Sequence, residues 1–491
     1  MKLPMQRIGV AVMVLIVLLL GNLTYLQVIQ APELRADPHN SRTTLDEYSR
    51  QRGQITAGGI VLARSDPSDD AFRYLRIYPE GAVYQPITGY YSTVYGATGI
   101  EKSMNSILAG DDDALVGGQL GDILTGRDPR GGNVQLTVVP AIQQAAYDAL
   151  SSKGYAGSVV ALNPKTGAVL ALVSTPSYDP NPLASHNQDV QRRQSDIINS
   201  GEPSVKLNRA IGAVYPPGST FKLVVSAAAL QNGYTPTSQV TGEPTIDLPG
   251  TGGATLSNFQ GESCGDSGSS EVDFVTALAF SCNTAFAEVG MALGGDKLRA
   301  QAAALGVDGN GYDIGLDVTP SRLGDLADPA AVAQSSIGQR DVAFTPFQDA
   351  IIAATIANHG VRMNPYLVDR TTRPDLSVIS QTEPSVANQD AMPTAVADQI
   401  RDMMIESESE TTGNGSLAGV TIASKTGTAE HGTDPKNTAP HAWYVAFAPA
   451  EDPQIAVAVL VENGGNGDLS GTGGKIASPI GRTVIGAALG G

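Results

Sequence analysis

Two cysteines in 491 residues are too few for a disulfide scaffold or a four-cysteine zinc site. The chain has 31 basic residues against 49 acidic ones, a net charge of −18, and so lacks the basic footprint of a nucleic-acid binder. Its five histidines include no H-E-x-x-H pair, which leaves zinc hydrolase chemistry without support. The 55 glycines and 30 prolines follow no period, which excludes collagen-like and repeat architectures. A chain of this length has room for two or three domains.

What is present starts with one apolar run. Residues 8–29 carry no charge and are long enough for a membrane span of roughly 20 residues. Lys2 and Arg7 precede the run and favour a cytoplasmic N-terminus. The following Leu26-Gln27-Val28-Ile29-Gln30 offers no small-x-small cleavage site, so an uncleaved anchor is expected rather than a signal peptide. The organisation predicted from this is a cytoplasmic tail (1–7), a transmembrane anchor (8–29), a small β-rich domain (30–154) and a larger domain (155–491) outside the cytoplasm.

Short strand-like runs mark the first of these domains, Phe72 to Tyr78 and Val134 to Val139 among them, suited to an exposed antiparallel sheet. A helical pattern follows from Pro140 to Leu150. Ser158 to Leu162 and Ala168 to Val173, joined by the turn residues Asn163-Pro164-Lys165-Thr166-Gly167, predict a hairpin. A long, mostly helical stretch is expected over about 205 to 360. β-Runs return at Gly419 to Ser424, Ala442 to Ala448 and Gln454 to Val461, and a helix closes the chain at Ser478 to Leu489. Strands at both ends of a domain with helices between them indicate an α+β fold, one antiparallel sheet flanked by helices. The polar segment 372–418 finds no place in this scheme.

Two hydrolase signatures look accidental. Gly261-Glu262-Ser263-Cys264-Gly265 matches G-x-S-x-G, but that motif needs a strand-turn-helix setting, and here it sits among Gly, Ser and Asn. Gly265-Asp266-Ser267-Gly268 lies in the same loop. A constellation without histidine competes with them. Tyr215-Pro216-Pro217-Gly218-Ser219-Thr220-Phe221-Lys222 opens a helical run, which puts Ser219 and Lys222 on one face of its first turn. Desolvation or a neighbouring cation can make such a lysine neutral, and a neutral lysine can activate a serine. The helix N-terminus offers N–H donors to an oxyanion. One S-x-x-K is about what chance supplies in a chain of this serine and lysine content. Order and setting carry the weight. Ser281-Cys282-Asn283 follows between two helical runs, Val272 to Phe280 and Thr284 to Leu293. Lys425-Thr426-Gly427-Thr428 comes last, at the end of the β-run Val420 to Ala423, where Gly427 lets a ligand backbone approach closely.

S-x-x-K, S-x-N and K-T-G in this order resemble the penicillin-binding proteins and serine β-lactamases. The longer segments around Ser219 and Lys425, Ser336-Ile337-Gly338-Gln339 with Thr345-Pro346, and Arg52-Gly53-Gln54-Ile55 resemble the class B members. The resemblance spans residues 40 to 485. It implies a transpeptidase domain on a pedestal, and a membrane-anchored D,D-transpeptidase that cross-links peptidoglycan stem peptides ending in D-Ala-D-Ala. Ser219 would be the nucleophile and Lys222 its base. Ser281 would relay a proton and Asn283 would hold the substrate amide. Lys425 would keep the pocket positive. Thr426 and Thr428 would bind the terminal carboxylate beside Gly427, and the N–H groups of Ser219 and Thr428 would form the oxyanion hole. β-Lactams would acylate Ser219. A lipid-II-polymerising membrane glycosyltransferase is the implied partner, with no metal or organic cofactor. A D,D-carboxypeptidase, or a β-lactam sensor without turnover, would use the same residues. Cys264 and Cys282 share an oxidising compartment and are expected to pair, the alternative being two buried thiols set too far apart.

Overall fold

The hairpin after residue 157 and the β-runs near the C-terminus pair into one five-stranded antiparallel sheet. Its order is Ala423–Ala429, His441–Ala448, Ile455–Val461, Gly157–Leu162 and Val169–Thr175. The computed structural model that shows this describes residues 2–30, 48–115, 130–265, 268–411 and 417–490. The three inner strands are buried on both faces, which is why their sequences are continuously apolar. Val445, Phe447, Ala456 and Ala458 face a core that holds the helix Pro346–Ala357. Tyr444, Ala446, Val457 and Val459 face the helices Pro140–Ser151 and Ser478–Leu489. The result is the α+β arrangement expected from the sequence.

Helix Pro346–Ala357 starts where the chain supplies both usual signals. The Thr345 hydroxyl accepts the Gln348 N–H at 3.1 Å, and proline fills the first helical position. Every residue of this helix is buried, including one acid, Asp349.

Several expectations need correction. K-T-G does not follow a strand: it lies inside one, Ala423–Ala429, at the sheet edge. The stretch 205–360 is less helical than its composition suggests. It contains three small antiparallel pairs, Gln239–Thr241 with Glu271–Asp273, Thr245–Asp247 with Thr255–Ser257 and Tyr312–Asp313 with Asp317–Val318. The segment that found no place supplies the helix Thr394–Ser409 and the strand Val378–Gln381. That strand pairs with Val368–Thr372 to extend a second, six-stranded sheet through Asn133–Leu136, Ile55–Ala57, Ile60–Pro67 and Tyr74–Ile77. Strands from both sides of residue 154 therefore share one sheet, and Ile55–Ala57 runs parallel to Asn133–Leu136 rather than antiparallel. Beneath this sheet Glu101 is buried between two arginines, Arg52 and Arg76, each with Nε 2.6 Å from a carboxylate oxygen. The N-terminal helix runs from Lys2 to Thr24 and continues as a π-turn to Ile29. Gln6–Gln27, mean hydropathy 2.3, is the one stretch among the described residues long and apolar enough to cross a membrane.

Candidate active site

Ser219 sits in a one-turn 3-10 helix, Gly218–Phe221, which passes directly into the buried α-helix Lys222–Gln231. Three contacts fix the turn's entry. The Tyr215 and Phe344 backbones exchange hydrogen bonds of 2.8 Å in both directions. Trp443 Nε1 donates to Pro216 O at 3.0 Å. Gly218 N donates to Gly338 O at 3.0 Å, which seats the I-G-Q segment against the turn. Gly218 has φ +55°, and a Cβ there would meet Thr428 O at 2.8 Å. A Cβ on Gly338 would lie 2.0 Å from Gly218 O. Neither position admits a side chain without moving backbone. With its amide oriented to satisfy both groups, Gln339 then clamps the end of the K-T-G strand: the nitrogen donates to Glu430 O and the oxygen accepts from Glu430 N, each at 3.2 Å.

Lys222 has no exposed surface. Its Nζ donates to Ser281 O at 2.6 Å and Asn283 Oδ1 at 2.8 Å, and lies 3.3 Å from Ser281 Oγ. No hydrogen bond to Ser219 Oγ is among them. Burial pushes the Lys222 pKa well below the usual lysine value, and the nearby Lys425 pushes it further. Lys425 is equally buried, donates to Ser281 Oγ at 2.9 Å and to Thr426 O at 2.9 Å, and is lowered to about 7 by desolvation. The two lysines and Ser281 thus form one connected unit with an unprotonated amine within its reach.

Ser281 occupies an unusual backbone position. It follows the helix Phe274–Ala279 with φ +59°. Cys282 N donates back to Ala277 O at 2.9 Å and Ser281 N to Leu278 O at 3.1 Å, the bonding of a Schellman stop in which glycine is usual. The turn aims both the carbonyl and the hydroxyl of Ser281 at Lys222. Asn283 opens the next helix, and its Nδ2 donates to Ser257 O at 3.2 Å. The neighbouring Asn258 Oδ1 accepts from Thr284 N at 3.0 Å. Cys264 and Cys282 are joined by a disulfide, Cα–Cα 5.5 Å, which ties the 258–265 loop to the S-x-N turn.

Strand alternation separates the remaining site residues. Lys425, Gly427 and Ala429 are buried, whereas Thr426 and Thr428 are half-buried on the other face. Thr428 Oγ1 accepts from Gly473 N at 3.4 Å. The space left bare at Gly427 is taken by the chain itself: a Cβ there would meet Pro217 O at 2.9 Å and Thr220 Cγ2 at 3.1 Å.

Ser263 lies in a loop outside any strand-turn-helix, and Asp266, Ser267 and His39 fall outside the described residues. His431 stacks on His441, while His186 and His359 pair with Asp70 and Asp398. Sequence reasoning missed Asp349, whose Oδ2 lies 2.8 Å from Thr220 Oγ1, within hydrogen-bond distance. The one signal available was an acid alone in the apolar run Pro346–Ala357.

Comparison with known proteins adds the following. Residues 157–486 match the model of the penicillin binding protein transpeptidase domain, and residues 52–134 that of the penicillin binding protein A dimerisation domain. The chain is 54% identical to the peptidoglycan D,D-transpeptidase PbpA of Mycolicibacterium smegmatis, covering 100% of this chain and 99% of that protein. PbpA of Mycobacterium tuberculosis is 52% identical with the same coverage. Its solved structure as a ceftriaxone acyl-enzyme complex has a TM-score of 0.88 at 52% identity, covering 91% of this chain and 100% of that one. The imipenem acyl-enzyme complex gives 0.86 at 51%, covering 90% and 100%.

Proposed function

This chain belongs to the penicillin-binding protein transpeptidase family, and from that premise we propose how its own residues carry the reaction. The protein is a peptidoglycan D,D-transpeptidase that β-lactams acylate. Neutral Lys222 takes the proton of Ser219 Oγ as that oxygen attacks the penultimate D-Ala carbonyl of a donor stem peptide. The N–H groups of Ser219 and Thr428 hold the oxyanion. When the intermediate collapses, Ser281 passes a proton from the lysine pair to the departing D-Ala nitrogen. An amine of a second stem peptide then attacks the acyl-enzyme and loses its proton along the same route, and Ser219 leaves with a proton restored. Asn283 holds the donor's amide. The Thr426 and Thr428 hydroxyls beside Gly427 bind the terminal carboxylate, which the positive charge of Lys425 attracts. The observation that carries this reading is the bonding of Lys222 Nζ to Ser281 and Asn283, with burial and Lys425 both disfavouring its proton.

The same reading extends to the cell. Residues 8–29 anchor the protein with its N-terminus in the cytoplasm, 30–154 form a pedestal, and 155–491 work outside the membrane. The partner that supplies nascent glycan is a lipid-II-polymerising membrane glycosyltransferase.

Intact mass of the full chain in detergent, with and without benzylpenicillin, beside Ser219→Ala, tests the nucleophile. One adduct on wild type and none on the variant is the expected result. A folded wild type that takes no adduct overturns the assignment and returns attention to Ser263.

A further inference from the structure

Thr220, the residue after Ser219, places one hydroxyl within reach of two oxygens: Asp349 Oδ2 at 2.8 Å and Pro217 O at 3.1 Å. A threonine hydroxyl has one proton and can also accept. If Asp349 is ionised, it can only accept, and the two oxygens compete for that single proton. If Asp349 is protonated, its O–H donates to Thr220 Oγ1 and the Thr220 proton goes to Pro217 O. Asp349 Oδ2, Thr220 Oγ1 and Pro217 O are then all paired without competition.

The surroundings favour the second arrangement. Asp349 is 2% exposed, within a helix otherwise free of charged residues. Thr220 Oγ1 is its one side-chain hydrogen-bond partner among the described residues. Most ionisable groups on the elements packed around this helix are otherwise engaged, Tyr312 donating to Gln348, and Glu406 is exposed. Lys222 and Lys425 both turn to Ser281. His441 stacks on His431 and Tyr444 donates to Glu408. Arg362 donates to Ala304 O, and the Asp398, Arg401 and Asp402 side chains of Thr394–Ser409 pair together. Burial is the main influence on the Asp349 proton and raises its pKa to about 7, against the Thr220 hydroxyl, which lowers it when it donates to the carboxylate.

We propose that Asp349 is a positioning residue for the nucleophile, a carboxylic acid that donates its proton to Thr220 and through it locks the Pro217–Thr220 turn that presents Ser219. Thr220 Cγ2 also lies against Gly427, so the same lock sets the spacing between the nucleophile turn and the K-T-G strand that frame the oxyanion. Loss of the Asp349 proton loosens the turn and slows acylation without touching either lysine. This inference rests on Ser219 being the nucleophile, and it names a group outside the three motifs.

The test measures second-order acylation by a fluorescent penicillin in the full chain, for wild type, Asp349→Asn and Thr220→Val, from about pH 6 to 9. A wild type that is not acylated at Ser219 overturns the nucleophile assignment and is recognised as such before any comparison. The asparagine amide keeps the donor to Thr220 at every pH. Its rate is therefore expected within about twofold of wild type at pH 6, with the ratio of variant to wild type rising about tenfold by pH 9, the value of one hydrogen bond. Taking the ratio cancels the titration of Lys222 and Lys425, which both proteins share. Thr220→Val lacks the lock altogether. It should be several-fold slower than wild type at pH 6, with the gap closing as pH rises. A flat Asn ratio, or a valine gap constant across pH, overturns the proposal. If the asparagine variant does not fold, the valine gap alone decides it.

Discussion

Lys222 and Lys425 share one hydroxyl: Ser281 Oγ lies 3.3 Å from the first Nζ and 2.9 Å from the second, and neither lysine has exposed surface. Two ammonium groups cannot both be stable at that distance away from water, so the unit holds at least one free amine near neutral pH. Replacing Lys222 with Met should keep the fold, because the methylene stem is conserved, and lower β-lactam acylation by about 10²–10⁴-fold. Adduct formation by intact mass over time, with circular dichroism as the control for folding, measures both. Acylation at the wild-type rate would falsify the base assignment.

Lys425 gives a stability test with a defined sign. Its folded pKa, about 7, is below the unfolded lysine value of about 10.4. Between those values the unfolded chain binds more protons, so stability rises with pH across that window, on the order of 1 kcal/mol per unit at most. Lys425→Met removes this share of the dependence and leaves that of Lys222, whose pKa burial also lowers. The expected outcome is a melting temperature that climbs more steeply from pH 7 to 9 in wild type than in the variant, which also loses acylation. Parallel curves would mean that Lys425 is not a suppressed cation.

Ser281 sets stability against chemistry. Its φ of +59° occupies a glycine position, at a cost of about 1 kcal/mol for a residue with a Cβ. Ser281→Gly should raise the melting temperature, while Ser281→Ala should not, and both should lose roughly 10²-fold in acylation. If glycine melts no higher than alanine, the backbone at residue 281 carries no strain.

The three motifs were legible because each is local: Ser219 and Lys222 are one turn apart, and the helical runs either side of Ser281 left a visible break. Their convergence was not, since periodicity says nothing about which loop meets which strand. The K-T-G strand was cut short because Lys, Thr and Gly look like a strand's end, although at a sheet edge facing a cleft such residues continue it. Val378–Gln381 was invisible for another reason. It is short and largely exposed, and beyond its neighbour Val368–Thr372 the sheet is built from residues more than 200 positions earlier. Asp349 reads as a mistake in an apolar helix until Thr220 appears opposite it.

Gly338 tests the seat of the nucleophile turn. A methyl at this position would lie 2.0 Å from Gly218 O, and φ is +70°. Gly338→Ala must move the turn or the I-G-Q loop, at a cost of roughly 1–3 kcal/mol. Acylation should fall more than thermal stability does, because the displaced backbone carries Ser219. A variant that acylates normally would show that the loop yields instead of the turn.

The disulfide offers the last check, because its two ends have different neighbours. Cys282 lies between Ser281 and Asn283, while Cys264, 18 positions earlier, follows the segment in which Ser257 and Asn258 bond Asn283 and the start of its helix. Closing a loop of this size stabilises by on the order of 3 kcal/mol in the chain-entropy model. Cys264→Ser with Cys282→Ser should therefore lower the denaturant midpoint. It should also slow acylation, because the Asn283 side chain loses a fixed carbonyl partner and the Ser281 turn a fixed neighbour. The two effects separate by ligand. Thermal stability should fall equally for free and acylated protein if the link is only structural. If it holds the S-x-N turn in place, prior acylation, which fills the cleft beside Asn283, should restore part of the lost stability. Equal losses in both forms, with an unchanged acylation rate, would reduce the bond to a staple with no part in the site.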